Sequence, residues 1–250
     1  MRILAIDSSA GPASAAILED GALLGESYVR IRQTHSQTLL PMVEDLMKTT
    51  GFVPGDFDVM AVSAGPGSFT GVRIGVACVK GLAFPTDTPC CGVSTLEAIA
   101  WGGAAYEGSL LCAVMDARVK QVYNALFEVR QGQPVRLCED RALSVLELGE
   151  ELRSQGERVL LLGDGAELCY QEFAGWGARL APETVRWQRA SSVGLAARRM
   201  IEAGALEGVD AVFGAHVSPE LPAGASFGTV FLVGLFTSPR CLGMCGGILL

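Results

Sequence analysis

A-G-P-G-S-F-T-G-V-R-I-G-V-A-C-V-K-G, from Ala64 to Gly81, sets a glycine-rich turn directly between an apolar strand and a helix. Asp58 to Ser63 reads as the buried strand and Gly65-Pro66-Gly67 as the turn. Ser68 or Thr70 reads as the N-cap of a helix running to about Phe84. Gly71, Gly75 and Gly81 each cost that helix about 1 kcal/mol relative to alanine, so a tertiary contact must compensate: another backbone or a ligand comes very close. The spacing excludes both standard phosphate loops. Gly65-x-Gly67-x-x-x-Gly71 holds one residue too many for the dinucleotide fingerprint, and no G-K-S or G-K-T follows to furnish a P-loop lysine and hydroxyl. A looser anion site at the helix N-terminus, where free amides and the helix dipole favour negative charge, stands against close packing as the two readings of these glycines.

Upstream, Ile3 to Ile6 is a short apolar strand ending in Asp7-Ser8-Ser9. Strands from Ala13 to Leu18 and from Ala22 to about Ile31 flank Asp20-Gly21, which suits a tight hairpin. From Ser36, Leu39, Leu40, Val43, Leu46 and Met47 recur on one helical face until Gly51 stops the helix; Pro41 belongs near its start or kinks it. Downstream, a short strand at Cys91-Gly92-Val93 leads into a helix from about Ser94 to Ala100. After Gly102-Gly103 the strand pattern restarts with Leu110 to Met115 and Gln121 to Val129. Ser144-x-x-Glu147 is a capping box opening a helix closed by Gly156. Val159 to Leu162 then passes through Gly163-Asp164-Gly165 into another helix, and a last helix runs from Ser192 to Gly204. The expected organisation is a first domain over residues 1–104, a second over 105–190, a helix over 191–204 returning to the first, and an atypical apolar tail over 205–250.

Half of the 250 residues are hydrophobic and 18% charged, a globular balance. A net charge of −8 without a basic run argues against this chain gripping a nucleic-acid backbone alone. Eight cysteines without a C-x-x-C pair, joined only by His35 and His216, argue against zinc. The start M-R-I-L-A-I-D has no secretory signal, so a cytoplasmic location with reduced cysteines is expected. From Leu221 to Pro239 no charge occurs, and a membrane anchor over 226–250 is weighed and disfavoured, because glycines and Pro239 interrupt the span.

Catalytic equipment is sparse. Asp7, at the end of the first strand, stands where actin-like ATPases place a carboxylate facing metal-bound phosphates, and Gly163-Asp164-Gly165 where they offer a loop to adenosine. A capping or turn role is the plainer reading of each. His35 has no histidine or cysteine nearby and reads as a cap, since general-base work needs a placed partner. Neither histidine has a G-x-S-x-G partner. No catalytic residue is assigned.

I-L-A-I-D-S-S from Ile3, T-H-S-Q-T-L-L-P from Thr34, A-G-P-G-S-F-T-G-V-R-I-G from Ala64, K-G-L-A from Lys80, G-V-S-T-L-E-A from Gly92 and D-A-R-x-x-x-V-Y from Asp116 resemble the TsaB (YeaZ) family over about residues 1–197. The resemblance implies an actin-like (ribonuclease H-like) two-domain α/β fold with mixed sheets flanked by helices. It further implies a non-catalytic scaffold subunit for threonylcarbamoyladenosine formation in tRNA. The partners would be the catalytic TsaD subunit and the ATPase TsaE, with tRNA met only through the complex. The catalytic relative carries two metal-binding histidines four residues apart on the helix after G-V; here those positions are Thr95 and Ile99, so no metal is expected. No cofactor of its own is expected, a nucleotide being left to the complex. The helices beginning near Ser36 and Thr70 would pack against the equivalent pair of the partner, or of a second copy when the chain is alone. In that arrangement Gly71 and Gly75 allow close approach, Leu39, Leu40, Val43, Val76 and Val79 supply apolar contact, and Arg73 lies on the same face.

The tail departs from the family. Residues 200–224 resemble an internal piece of metal-dependent amidohydrolases, with His216 at a ligand position, and the text from Phe231 resembles the first membrane helix of sulfite-exporter-like transporters; neither is a complete domain. The rival function is an actin-like ATPase or phosphotransferase using Asp7 and the two glycine loops.

Overall fold

The computed structural model describes residues 1–31 and 34–204; the expectations for the apolar tail, including His216 and the membrane anchor, lie outside them. The chain builds two sheets with one strand plan. In the first, β1 (Arg2–Asp7), β2 (Ala13–Glu19) and β3 (Ala22–Val29) form an antiparallel meander. α1 (His35–Thr50), β4 (Val59–Gly65), α2 (Phe69–Ala83), β5 (Cys90–Ser94) and α3 (Thr95–Gly102) follow. The order is β3-β2-β1-β4-β5, with β4 parallel to β1 and β5 parallel to β4.

The second half repeats this plan with β6 (Leu110–Asp116), β7 (Gln121–Arg130), β8 (Gln133–Arg136), β9 (Arg141–Ser144), α4 (Val145–Leu152), β10 (Val159–Leu162), α5 (Ala166–Phe173) and β11 (Arg179–Leu180). Its order is β11-β10-β6-β7-β8, with β9 also paired to β7. α6 (Glu183–Arg186) and α7 (Ala190–Glu202) complete the described chain. Two mixed sheets, each an antiparallel meander extended by parallel strands and flanked by helices, make this an actin-like α/β fold.

The apolar periodicities find their partners in this frame. α1 and α2 cover one face of the first sheet, where Leu39, Val43, Leu46, Val79 and Leu82 meet Leu4, Ile6, Ile17, Met60 and Val62. α7 covers the opposite face, setting Val193, Ala196 and Ala197 on Ile3, Ala5, Leu18 and Ala61. α3 serves both halves: Ala98 belongs to that second layer, while Leu96, Ile99 and Ala100 pack with Leu111, Ala113, Phe127 and Leu162 of the second sheet. Arg136 ties the same helix to β8, reaching Glu97 at 3.1 Å and Asp140 at 2.6 Å.

Three local details differ from expectation. Pro41 lies inside α1 rather than at its start; it is exposed, and the helix closes normally with the Gly51 amide on the Met47 carbonyl at 2.8 Å. α4 opens on the expected capping box, the Glu147 amide donating to Ser144 Oγ at 3.2 Å, but ends at Leu152 before a tighter turn that carries Gly156 at φ 52°. Strands β8, β9 and β11 span 4, 4 and 2 residues, too few for periodicity to reveal. Among the described residues no helix is long and apolar enough to cross a membrane.

The start of α7 is capped from a distant strand. Glu26 of β3, its side chain only 7% exposed, accepts the Ser191 amide at 3.0 Å and hydroxyl at 2.8 Å through one oxygen. Its other oxygen accepts two bonds from the Arg189 guanidinium, at 3.1 and 2.6 Å. A carboxylate is favoured at a helix N-terminus, and deleting it leaves four part-buried hydrogen bonds unmade. Glu26→Ala is therefore expected to cost about 2–4 kcal/mol, read as a lower urea midpoint at unchanged slope.

Candidate functional site

The C-terminal ends of β1 and β4 lie side by side, so the loop after each meets the other. Ser9 offers its carbonyl to the Ser68 amide at 2.7 Å, and Ser68 turns its hydroxyl to the Gly71 amide at 3.3 Å, capping α2 as expected. Ser8 Oγ donates to the Gly71 carbonyl at 2.9 Å. His35, at the first turn of α1, donates from Nε2 to the Ala10 carbonyl at 2.7 Å; the cap position itself is Thr34, and the half-buried ring serves the β1–β2 turn instead. The glycine-rich segment is thus locked onto the β1–β2 turn.

This packing identifies what comes so close to the helix glycines. A Cβ on Gly71 would overlap the Ser8 carbonyl oxygen, and one on Gly75 would lie 2.6 Å from Ser8 Oγ and 3.2 Å from Val62. The contact expected from a partner's helix is made inside the chain by the backbone of β1's end. Leu39, Val43 and Val79, expected at the interface, are likewise sealed in the first core at 1% exposure or less. Their helical spacing reflects packing on their own sheet.

Asp7 takes the turn role, the plainer of its two readings. Its carboxylate is 1% exposed; Oδ1 accepts the Ser9 amide at 3.0 Å and hydroxyl at 2.9 Å, and Oδ2 accepts the Ser63 hydroxyl. Burial pushes its pKa up, and these hydrogen bonds work in the opposite direction. The group is occupied by neighbouring serines rather than turned toward a ligand. At the other proposed nucleotide contact, the Gly163 amide donates to the Arg186 carbonyl at 2.7 Å and the Gly165 amide to the Val114 carbonyl at 3.2 Å. Gly163 adopts φ 100°, and a Cβ there would overlap the Val114 carbonyl oxygen. The amides that could have cradled a phosphate or ribose serve the turn itself. Thr95 and Ile99 are 0% and 2% exposed, and Ile99 packs where the two halves meet.

What remains outward on α1 and α2 is a narrower face. Leu40 and Val76 are half-buried over the first core, and Arg73 is exposed. Phe69, which the sequence reading passed over, is 64% exposed and lies under the Arg73 guanidinium at 3.9 Å from its ring centroid. The signal was present: Phe69 and Arg73 are four apart, one helical turn. Arg73 forms no ion pair with any described residue. A large apolar ring carrying a cation with no counter-charge among the described residues is a surface suited to contact.

Residues 30–167 match the family model described as TsaD, tRNA N6-adenosine threonylcarbamoyltransferase. The chain is 34% identical over 171 residues to the tRNA threonylcarbamoyladenosine biosynthesis protein TsaB of Bacillus subtilis, spanning 68% of this chain and 74% of that one. It is 41% identical over 129 residues to the Escherichia coli protein of the same name, covering 51% of this chain and 55% of that one. Among solved structures, a Pseudomonas aeruginosa protein with similarity to peptidase YEAZ superposes with a TM-score of 0.69 at 30% identity, over 83% of this chain and 94% of that one.

Proposed function

The chain belongs to the TsaB (YeaZ) family, and we propose that it is the non-catalytic subunit of a complex that forms threonylcarbamoyladenosine in tRNA, pairing with the TsaD-type transferase. The observation that carries this reading is the outward face of α1 and α2. Phe69 under Arg73 is an exposed ring and cation on α2, Arg73 pairs with no carboxylate of the described residues, and Leu40 of α1 and Val76 of α2 are only half-buried over the first core. A transferase of related fold, presenting its own helix pair and a carboxylate opposite Arg73, would complete it.

The absence of independent chemistry is part of the proposal. Asp7, Gly163 and Gly165 use their polar groups internally, Thr95 is buried, and Ile99 contributes to the packing between the halves. The chain then acts by holding the transferase, with the ATPase TsaE and tRNA joining the assembled pair. Mixing the full chain with a TsaD-type transferase should give one co-eluting species on size exclusion, with modification of tRNA only in the mixture. Separate elution at micromolar concentration, or transfer by the chain alone, overturns the reading.

A further inference from the structure

We propose that the β6–β7 hairpin tip, Arg118-Val119-Lys120, is a contact for RNA backbone phosphates in the assembled complex; this rests on the assembly reading above. The tip lies within the D-A-R-x-x-x-V-Y motif, most of whose members have internal work. Asp116 Oδ1 accepts the Arg118 amide at 2.7 Å, and Val122 is fully buried. Arg118 has no comparable role: its side chain is 88% exposed and approaches a carboxylate only at 3.8 Å, from Asp116. Val119 is 94% exposed, and Lys120 is exposed beside it.

The backbone of this tip is costly. Arg118, Val119 and Lys120 have φ of 71°, 51° and 57°, three consecutive left-handed residues without a glycine, each disfavoured by about 1–2 kcal/mol. A tight hairpin with positive φ favours Asn-Gly, and a β-branched valine there is an outlier. The conformation is nevertheless braced. The Ala117 amide donates to the Gln121 carbonyl at 3.0 Å, the Gln121 amide to the Arg118 carbonyl at 2.9 Å, and the Val145 amide to the Lys120 carbonyl at 3.0 Å. The outward side chains return little to the fold, only the 3.8 Å approach of Arg118 to Asp116, so the compensation for a strained, rigid, exposed loop is sought in what it touches.

Charge identifies that contact. The chain carries a net −8, and arginines elsewhere, such as Arg2, Arg141, Arg186 and Arg189, sit within 2.9 Å of carboxylates. At the tip, as at Arg73, no carboxylate of the described residues comes that close, and here two cations stand two residues apart on a fixed loop. Polyanionic phosphate fits this arrangement, with lysine and arginine contacts positioning the nucleic acid rather than reading its bases.

The test uses the full chain, its transferase partner and an unmodified tRNA transcript, with tRNA affinity measured across salt concentrations. R118Q/K120Q should bind tRNA about tenfold more weakly near 0.1 M salt, with the salt slope reduced by about 1–2, and should co-elute with the partner like the parent. The charge-keeping R118K/K120R should bind like the parent. Val119→Asn with Lys120→Gly, which supplies the favoured turn residues, should melt higher than the parent; an equal or lower melting temperature removes the strain argument and overturns the proposal. Unchanged affinity and slope in R118Q/K120Q overturn the tip contact alone. Loss of partner co-elution in that variant makes the tip a protein contact and overturns it as well. Failure of the parent chain to co-elute overturns the assembly reading, and the tip proposal with it.

Discussion

Gly71→Val is expected to destabilise the chain by about 3 kcal/mol or more, seen as a large drop in urea midpoint, before any partner is added. The new Cβ would enter the space of the Ser8 carbonyl oxygen, and backbone cannot rotate aside as a side chain can. Relief requires moving α2 away from the β1–β2 turn, which breaks the Ser8 hydroxyl bond to the Gly71 carbonyl and the Ser9 carbonyl bond to the Ser68 amide. Ser8, Ser9 and Gly71 are buried, and a buried polar group left unpaired costs about 1–3 kcal/mol. The sequence alone predicts the opposite order, with bulky residues here breaking a complex before they unfold the chain. A Gly71→Val protein that unfolds at the parental midpoint yet fails to bind its partner would restore that earlier order.

The second large effect lies on the outward face. Phe69→Ala and Arg73→Glu are each expected to weaken association with the transferase by about 2–3 kcal/mol, or roughly 30- to 150-fold in Kd. Their own unfolding midpoints should stay within about 0.5 kcal/mol of the parent. The ring is large and exposed, and the guanidinium above it is held in place before binding, so little is lost in ordering either on contact. Charge reversal at Arg73 should also slow association, since steering by opposite charge acts on the on-rate. Titration of labelled partner by fluorescence anisotropy, beside thermal melts of each variant, separates the two quantities. Parental affinity in both variants would place the interface elsewhere.

The fold was legible because its signals are local. Ile3 to Ile6 and Val59 to Val62 are uninterrupted apolar runs, as strands buried on both faces require. The periodicity of Leu39, Val43 and Leu46 marks a helix lying on a sheet, and Ser144 with Glu147 writes a helix start in four letters. The site was only half legible, because its cause is non-local. Glycines at 71 and 75 announce that something comes close, yet no spacing on α2 says that it is Ser8, 63 residues earlier. Equally, Leu39, Val43 and Val79 have the same pattern whether they face their own sheet or a partner's. Phe69 and Arg73 carry a readable four-residue offset, but it sits amid glycines whose packing signal is the stronger one.

The position of α7 has a consequence for how the protein is made. The face of the first sheet formed by Ile3, Ala5, Leu18 and Ala61 is closed by Val193, Ala196 and Ala197, residues synthesised more than 130 positions after the last of those strand residues. At about 5–20 residues per second, a ribosome leaves that apolar face open for several seconds while the second sheet is still being assembled. Contacts of such long sequence separation also fold slowly. The N-terminal half thus emerges as an unfinished surface that any chaperone or aggregating neighbour meets before α7 does. Its completion waits on the last helix of the described chain.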